Sequence, residues 1–196
     1  MRGGIRAGLL AGFAAAYIGG PSPSVRADSC PLESECTFRK PNVLIVMEYS
    51  AAMNVEWVQG QTRWEAAVES VQTLLTVNNG YFDDNVHVAL MRFSHDPDPS
   101  RPGTPIPGDT SGLLDGTRLD VPWVDPEGAY LECNGGAVLQ ALNALAPPPG
   151  SGGTWTNGAM LRAQQVVEQA RAEHPEDLQP ESARAYGILL YTQGVW

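Results

Sequence analysis

Basic residues are scarce in this chain. Twelve lysines and arginines stand against 22 acids in 196 residues, a formal net charge of −10. A surface of that sign repels a nucleic-acid backbone or an anionic bilayer, so nucleic acid and membrane surfaces are poor partners. Cysteine is scarce too, with three residues, no CxxC spacing and no histidine beside them, which argues against a zinc site. No GxGxxG or GKS/GKT run follows an apolar segment, so a phosphate-cradling loop is not encoded. No GxSxG elbow surrounds Ser50, and a Ser50–His95 hydrolase pair therefore has no local support. The alternating acids Asp96 and Asp98 sit among prolines and lack the glycine and glutamate of a calcium-binding EF-hand loop. Asp109-Thr110-Ser111-Gly112 resembles a protease signature only superficially and lies in the same proline-rich stretch. No run approaches the 18 apolar residues of a spanning helix.

What is present suits one folded domain with long loops. Apolar residues make up 43% and charged residues 17%, enough for a packed core, while 21 glycines and 16 prolines argue against a compact helical bundle. Residues 1–27 have the order of a secretory signal peptide. Arg2 and Arg6 precede the apolar run Ala7–Gly20, Pro21 and Pro23 break it, and Val25-Arg26-Ala27 supplies small residues at a cleavage site. The expected product is secreted, periplasmic or held at the cell surface, with no membrane span after cleavage. In an oxidising compartment, three cysteines predict one disulfide and one leftover thiol. The expected bridge joins Cys36 to Cys30 or to Cys133, and both alternatives stay open.

After a polar arm at 28–40, the pattern alternates between strand and helix. Asn42–Met47 (NVLIVM) is a continuous apolar run suited to a strand buried on both faces. Thr62-Arg63-Trp64-Glu65 fits a capping box, and Trp64, Ala67, Val68, Val71 and Leu75 form one helical face over 62–77. Asn78-Asn79-Gly80 stops that helix. Val86–Phe93 is the next strand, which completes a βαβ unit. Residues 95–135 read as irregular and proline-rich, with a short edge strand from Arg118 to Val121. A short helix is expected at 136–145. A second long helix is expected at about 157–173, with Met160, Ala163, Val167 and Ala170 on one face, and a last strand at 185–191. His87 reads as structural and Trp64 as core. Trp123, Tyr130 and Trp155 read as loop residues near the ligand edge, either contact residues or packing anchors.

In an open α/β sheet, ligands bind beyond the carboxyl ends of the strands. Three polar groups should meet there: Glu48-Tyr49-Ser50, Gly153-Thr154 and Thr192-Gln193-Gly194. Their carboxylate, hydroxyl and amide oxygens are the donor types of hard cations.

The segments PNVLIVMEYSAAMN, RWEAAVESVQTLL, VHVALMRFS, GGTWTNGAMLRA and AYGILLYTQG resemble, in order, those of a von Willebrand factor type A domain over residues 41–196. The chain is similar in particular to the version at the front of bacterial pilus-tip adhesins. The resemblance implies a three-layer, Rossmann-like open α/β sheet. That sheet is mostly parallel with one antiparallel edge strand, in order 3-2-1-4-5-6, and this chain supplies only the first four strands. It also implies an extracellular adhesion or interaction module, not an enzyme, whose partner is an extracellular protein, a surface ligand or another pilus component. The alternative is a structural remnant of a larger adhesin with no ligand of its own. The adhesion site implied by the family falls on Glu48, Ser50, Ala52, Thr154 and Gln193. Ser50 and Thr154 keep the family's residue types. Glu48 replaces an aspartate, Ala52 a serine and Gln193 an aspartate, so magnesium or calcium would find only Ser50 and Thr154 as weak ligands. The expectation is therefore binding without a cofactor or a metal.

Overall fold

Asn42–Glu48 forms β1, and every residue in it except Val43 is buried. The reason is its central place. His87–Phe93 (β4) runs parallel on one side, from Asn42 opposite His87 to Glu48 opposite Phe93. Tyr186–Tyr191 (β6) runs parallel on the other, from Asn42 opposite Tyr186 to Met47 opposite Tyr191. Thr117–Val121 (β5) closes the far side antiparallel to β4, as Pro122 beside it predicts for an edge strand. The strand order is β5-β4-β1-β6, the order the resemblance implies for its first four strands. The structure, a computed structural model, describes residues 39–94, 116–148, 153–180 and 182–193. The expected signal peptide, nearly all of the expected arm, Cys30, Cys36, His95 and the acidic proline-rich loop to residue 115 lie outside the described residues.

The sheet is the middle of three layers. Alternate residues of β1 and β4 face opposite ways. Ile45, Met47, Val88 and Leu90 pack with Trp64, Ala67, Val71 and Leu75 of α1 (Arg63–Asn85) and with Val138 and Leu142 of α2 (Gly135–Ala144). Leu44, Val46, Ala89, Met91 and Phe93 pack with Ala159, Ala163, Val166 and Ala170 of α3 (Thr156–Glu173). The predicted α3 face is displaced at two positions: Ala159 and Val166 are buried where Met160 and Val167 were expected, and Val167 packs only at the margin.

Helix α1 begins with the predicted capping box. The Thr62 hydroxyl accepts from Glu65 N at 3.2 Å, and the Glu65 carboxylate accepts from Thr62 N at 2.7 Å. The predicted stop is a break rather than an end. Asn78, Asn79 and Gly80 adopt left-handed conformations at φ 52°, 58° and 81°, after which a further helical turn runs to Asn85. Asparagine and glycine are the residues that tolerate this region best. A small hairpin, β2 (Glu56–Val58) and β3 (Gln61–Thr62), precedes the helix and was not expected. Its turn places Gly60 at φ 81°.

Two buried polar networks brace the sheet. On the β5 side, Arg92 grips Asp120 with two bonds, Nε to Oδ2 at 2.6 Å and Nη2 to Oδ1 at 2.8 Å. Their side chains are 2% and 8% exposed, and the guanidinium also lies 4.6 Å over the Tyr49 ring. The second network fills the amino ends of β1, β4 and β6. His87 is enclosed by Asn42, Glu132, Arg184 and Tyr130. Its Nε2 lies 3.1 Å from Glu132 Oε1, Arg184 Nη1 lies 3.0 Å from Nδ1, and the Asn42 amide lies 2.9 Å from the same nitrogen. Tyr130 stacks between His87 and His174, at centroid distances of 4.7 Å and 4.2 Å. Its hydroxyl donates to buried Asp177 at 2.5 Å, and Arg184 bonds the same carboxylate at 2.9 Å.

This placement corrects the reading of two aromatics. Tyr130 lies at the amino end of the sheet, opposite the ligand edge. Trp123 also belongs to that half, since its indole donates to Val43 O at 3.1 Å and its ring packs edge-on to Tyr186. Both are packing anchors. Cys133 carries an exposed free thiol with its Sγ 3.7 Å from Asp84 Oδ1. Cys36, a partner in both expected alternatives, lies outside the described residues. Asn134, next to Cys133, is bonded to the backbone of β4 and turns the thiol toward α1. The Cys30–Cys36 alternative lies outside the described residues.

Two outcomes follow from these networks. Replacing Asp120 by alanine strands a buried guanidinium and should cost about 3–5 kcal/mol. The joint Arg92→Met/Asp120→Leu change should cost much less, and urea unfolding checks both. Burial pushes the His87 imidazole below its usual pKa, against the raising effect of Glu132 and with the help of the Arg184 charge. The unfolded chain then binds more protons than the native one as pH falls through the unfolded histidine value near 6.5, so stability drops on acidification there. His87→Gln should flatten that slope in unfolding free energies measured between pH 7.5 and pH 5 (about the range over which a histidine titrates).

Candidate functional site

The residues that meet at the carboxyl end of the sheet come from three separated segments. β1 delivers Glu48 and, through an extended turn, Ser50. Both are fully buried. Ser50 also begins the short 3-10 turn Ala51–Asn54, its carbonyl accepting from Met53 N at 3.0 Å. The loop before α3 delivers Thr154. Its position is set by Trp155, whose N–H donates to Ser94 O at the end of β4 at 2.8 Å. The Trp155 indole lies flat against Gly158, where an added Cβ would come within 2.2 Å of the ring. The end of β6 delivers Thr192 and Gln193.

All four predicted positions, Glu48, Ser50, Thr154 and Gln193, come together. Glu48 is their centre, and each of its oxygens has two donors. Oε1 accepts from Ser50 Oγ at 2.5 Å and from Thr154 Oγ1 at 2.6 Å. Oε2 accepts from Thr192 Oγ1 at 2.7 Å and from the backbone N of Gln193 at 2.9 Å. Burial alone would raise the carboxyl pKa, but the hydroxyls of Ser50, Thr154 and Thr192 and the Gln193 N–H outweigh it. The group is held below the usual glutamate range and stays ionised. The Gln193 amide closes the ring outward: Nε2 donates to Thr154 Oγ1 at 3.3 Å, and Oε1 accepts from Arg63 Nη1 at 3.1 Å. Ala52 offers only its carbonyl, which Arg63 Nη1 approaches at 3.5 Å.

This donor set does not fit a magnesium or calcium ion. The lone carboxylate already has four protein donors, three hydroxyls and one backbone N–H, on its two oxygens. Gln193 turns its oxygen to a guanidinium, which places a positive charge beside the site. Among the described residues, no group of three or more His, Cys, Asp or Glu side chains is placed to hold a metal. The arrangement offers no catalytic dyad either. Ser50 donates to a carboxylate whose lowered pKa makes it a weak base.

Thr192, expected at this edge as part of the Thr192-Gln193-Gly194 segment, bonds Glu48 directly through its hydroxyl. One contributor is absent from the predicted set. Arg63 had been read only as part of a capping box. One local signal marks it: a cation at the first position of a helix opposes the helix dipole, an unfavourable placement that needs another reason. No family model matches the chain, and no curated protein matches it.

The central carboxylate can be tested through stability. Glu48→Gln faces four donors with a neutral amide, and should lower unfolding free energy at pH 7 by about 1–3 kcal/mol. A depressed carboxyl pKa gives stability that is present above the unfolded value near 4.3 and lost as pH falls through the folded one. The difference between wild type and Glu48→Gln should therefore shrink in denaturant titrations repeated in acid.

Proposed function

We propose that this chain is a non-catalytic adhesion or protein-interaction module of the cell surface, periplasm or secreted space, which meets its partner through side chains and loops without a metal bridge. The observation that carries the proposal is the Glu48 carboxylate, satisfied on both oxygens by hydrogen bonds from the chain itself. The site is built as a stable polar floor for a recognition surface, with no open coordination position and no activated nucleophile. The resemblance of the five segments to a von Willebrand factor type A domain supports the same class, as does the Arg-then-apolar start of the chain. Exposed apolar residues flank the site on the β2–β3 hairpin: Val55 is 50%, Trp57 65% and Val58 51% exposed. Scattered exposed apolar residues are ordinary, but three clustered at the ligand edge are the composition of a contact surface. The partner on this reading is an extracellular protein or surface ligand.

A second reading has its own observation. Among the described residues, no strand pairs with the outer side of β6, where Ile188 is 39% exposed. An open edge of this kind is a template for another strand. It supports a structural part or remnant of a larger pilus-associated adhesin, with other pilus components as partners and no ligand of its own.

Titration calorimetry separates metal-bridged from metal-free recognition. The exported chain should show no micromolar affinity for magnesium or calcium. The Glu48→Asp/Ala52→Ser/Gln193→Asp variant, which adds a second carboxylate and a further hydroxyl, should gain measurable heat. Proximity labelling on the producing cell should recover surface proteins whose retention survives EDTA. Micromolar magnesium binding by the unmodified chain would overturn the metal-free reading.

A further inference from the structure

Among the described residues, no acid pairs with the half-buried Arg63 guanidinium. Its Nη1 alone is engaged among them, by the neutral acceptors Gln193 Oε1 at 3.1 Å and Ala52 O at 3.5 Å. Its Nε is enclosed and has no hydrogen-bond partner. Every nearby carboxylate is committed elsewhere. Glu48 holds its four donors. Glu56 accepts from Gly60 N at 2.7 Å, Glu65 closes the helix cap, and Glu69 accepts from Gln61 Nε2 at 2.7 Å. A half-buried cation that none of the described acids pairs with, at the positive end of a long helix, is an unfilled electrostatic position. By contrast, buried Arg92 and Arg184 each have a carboxylate partner.

The guanidinium lines a cavity of about 370 Å³ between the hairpin, α1 and the end of β6, together with Met53, Trp57, Ala66, Tyr191 and Gln193. A second hollow of about 540 Å³ shares Trp57, Ala66 and Ser70 with it and is also lined by Val58. Trp57 is thus an exposed indole common to a cationic pocket and an adjoining hollow. Arginine and tryptophan are the side chains that most often anchor protein interfaces.

We propose that the Arg63 pocket receives the carboxylate of an aspartate or glutamate side chain from a partner protein, with a neighbouring apolar side chain of that partner packed on Trp57. This rests on the interaction-module reading and names the chemistry of its partner. A single guanidinium in an apolar rim suits a singly charged, apolar-flanked acid. A phosphate would call for more positive charge than the pocket holds, and the net acidity of the chain would repel a polyanion. The carboxylate accepts from Arg63 Nη2, since Nη1 is engaged by Gln193 and Ala52 and Nε is enclosed by the chain itself. Gln193 links the pocket to the Glu48 floor, so an incoming acid is sensed by the same hydrogen-bonded ring.

The test uses the full exported chain labelled for NMR of arginine Nε–Hε groups. The probes are acetyl-Leu-Asp-Leu-amide and its isosteric asparagine counterpart. The aspartate peptide should move the Arg63 signal saturably in the millimolar range or tighter, and the asparagine peptide should bind about tenfold more weakly. Arg63→Gln should abolish the preference for aspartate. Trp57→Ala, at an exposed position that the core does not need, should weaken the aspartate peptide several-fold while leaving the circular dichroism spectrum unchanged. Equal binding of the two peptides, no saturable shift with either, or unchanged aspartate binding in Arg63→Gln would overturn the inference. Retention of the proximity-labelled partner in EDTA is measured alongside. A partner held equally by wild type and Arg63→Gln overturns the Arg63 site and leaves the module reading standing. Specific aspartate binding with no partner retained supports the site and counts against the module reading.

Discussion

A single buried, ionised carboxylate organises the carboxyl end of the sheet. Glu48 is carried by the central strand and lies in the interior, where an unpaired charge would be costly. Its four donors come from residue 50, from the loop before α3 and from the end of β6, up to 145 residues away along the chain. Because each lone-pair direction is answered, the three segments cannot separate without exposing the charge to an apolar surrounding. The same interaction ties the loops down and leaves no place for a cation. Structural order and the full occupation of both Glu48 oxygens are two results of one hydrogen-bond pattern.

The opposite end of the sheet is organised on another plan. There a stack of His87, Tyr130 and His174 stands beside Arg184 and buried Asp177. Its members come from β4, the β5–α2 connection, the turn after α3 and the approach to β6. This is structural bracing by mixed charge and aromatic contact, with ionisable rings at its centre. The carboxyl end is thereby insulated from mild acid, since Glu48 stays ionised, while the amino end responds to it.

Much of this was legible before any coordinates. β1 is a continuous apolar run from Val43 to Met47, and β4 is one from Val88 to Met91, because helices cover both of their faces, and burial on two sides erases alternation. The Thr62–Glu65 cap is a local chemical signature, and the helix face behind it follows from spacing. The meeting of Glu48, Ser50, Thr154 and Gln193 follows from topology, since parallel strands gather their carboxyl ends on one side. What escaped was non-local or too short to have a period. The β2–β3 hairpin has three residues in one strand and two in the other. Tyr130 sits in a connection whose direction no periodicity encodes, and it turned to the far end of the sheet. Arg63 meets Gln193 across 130 residues, a pairing that only the folded sheet brings about. The helical turn beyond Asn78-Asn79-Gly80 was hidden because a good stop signal can also act as a kink when the chain finds helical conformation again on the other side.

The contact between Trp155 and Gly158 has a consequence for how the sequence can drift. The indole rests on bare backbone at Gly158, and Thr154 is the residue just before that tryptophan. Any side chain at position 158 must displace the ring. The displaced ring drags Thr154 away from the carboxylate 106 residues upstream. Glu48 would then lose a donor through a residue that never touches it. The tolerance of the Glu48 cluster to mutation is set in part by a glycine on the first turn of a helix, outside the polar cluster altogether. A scan that ranked positions by distance from Glu48 alone would overlook it.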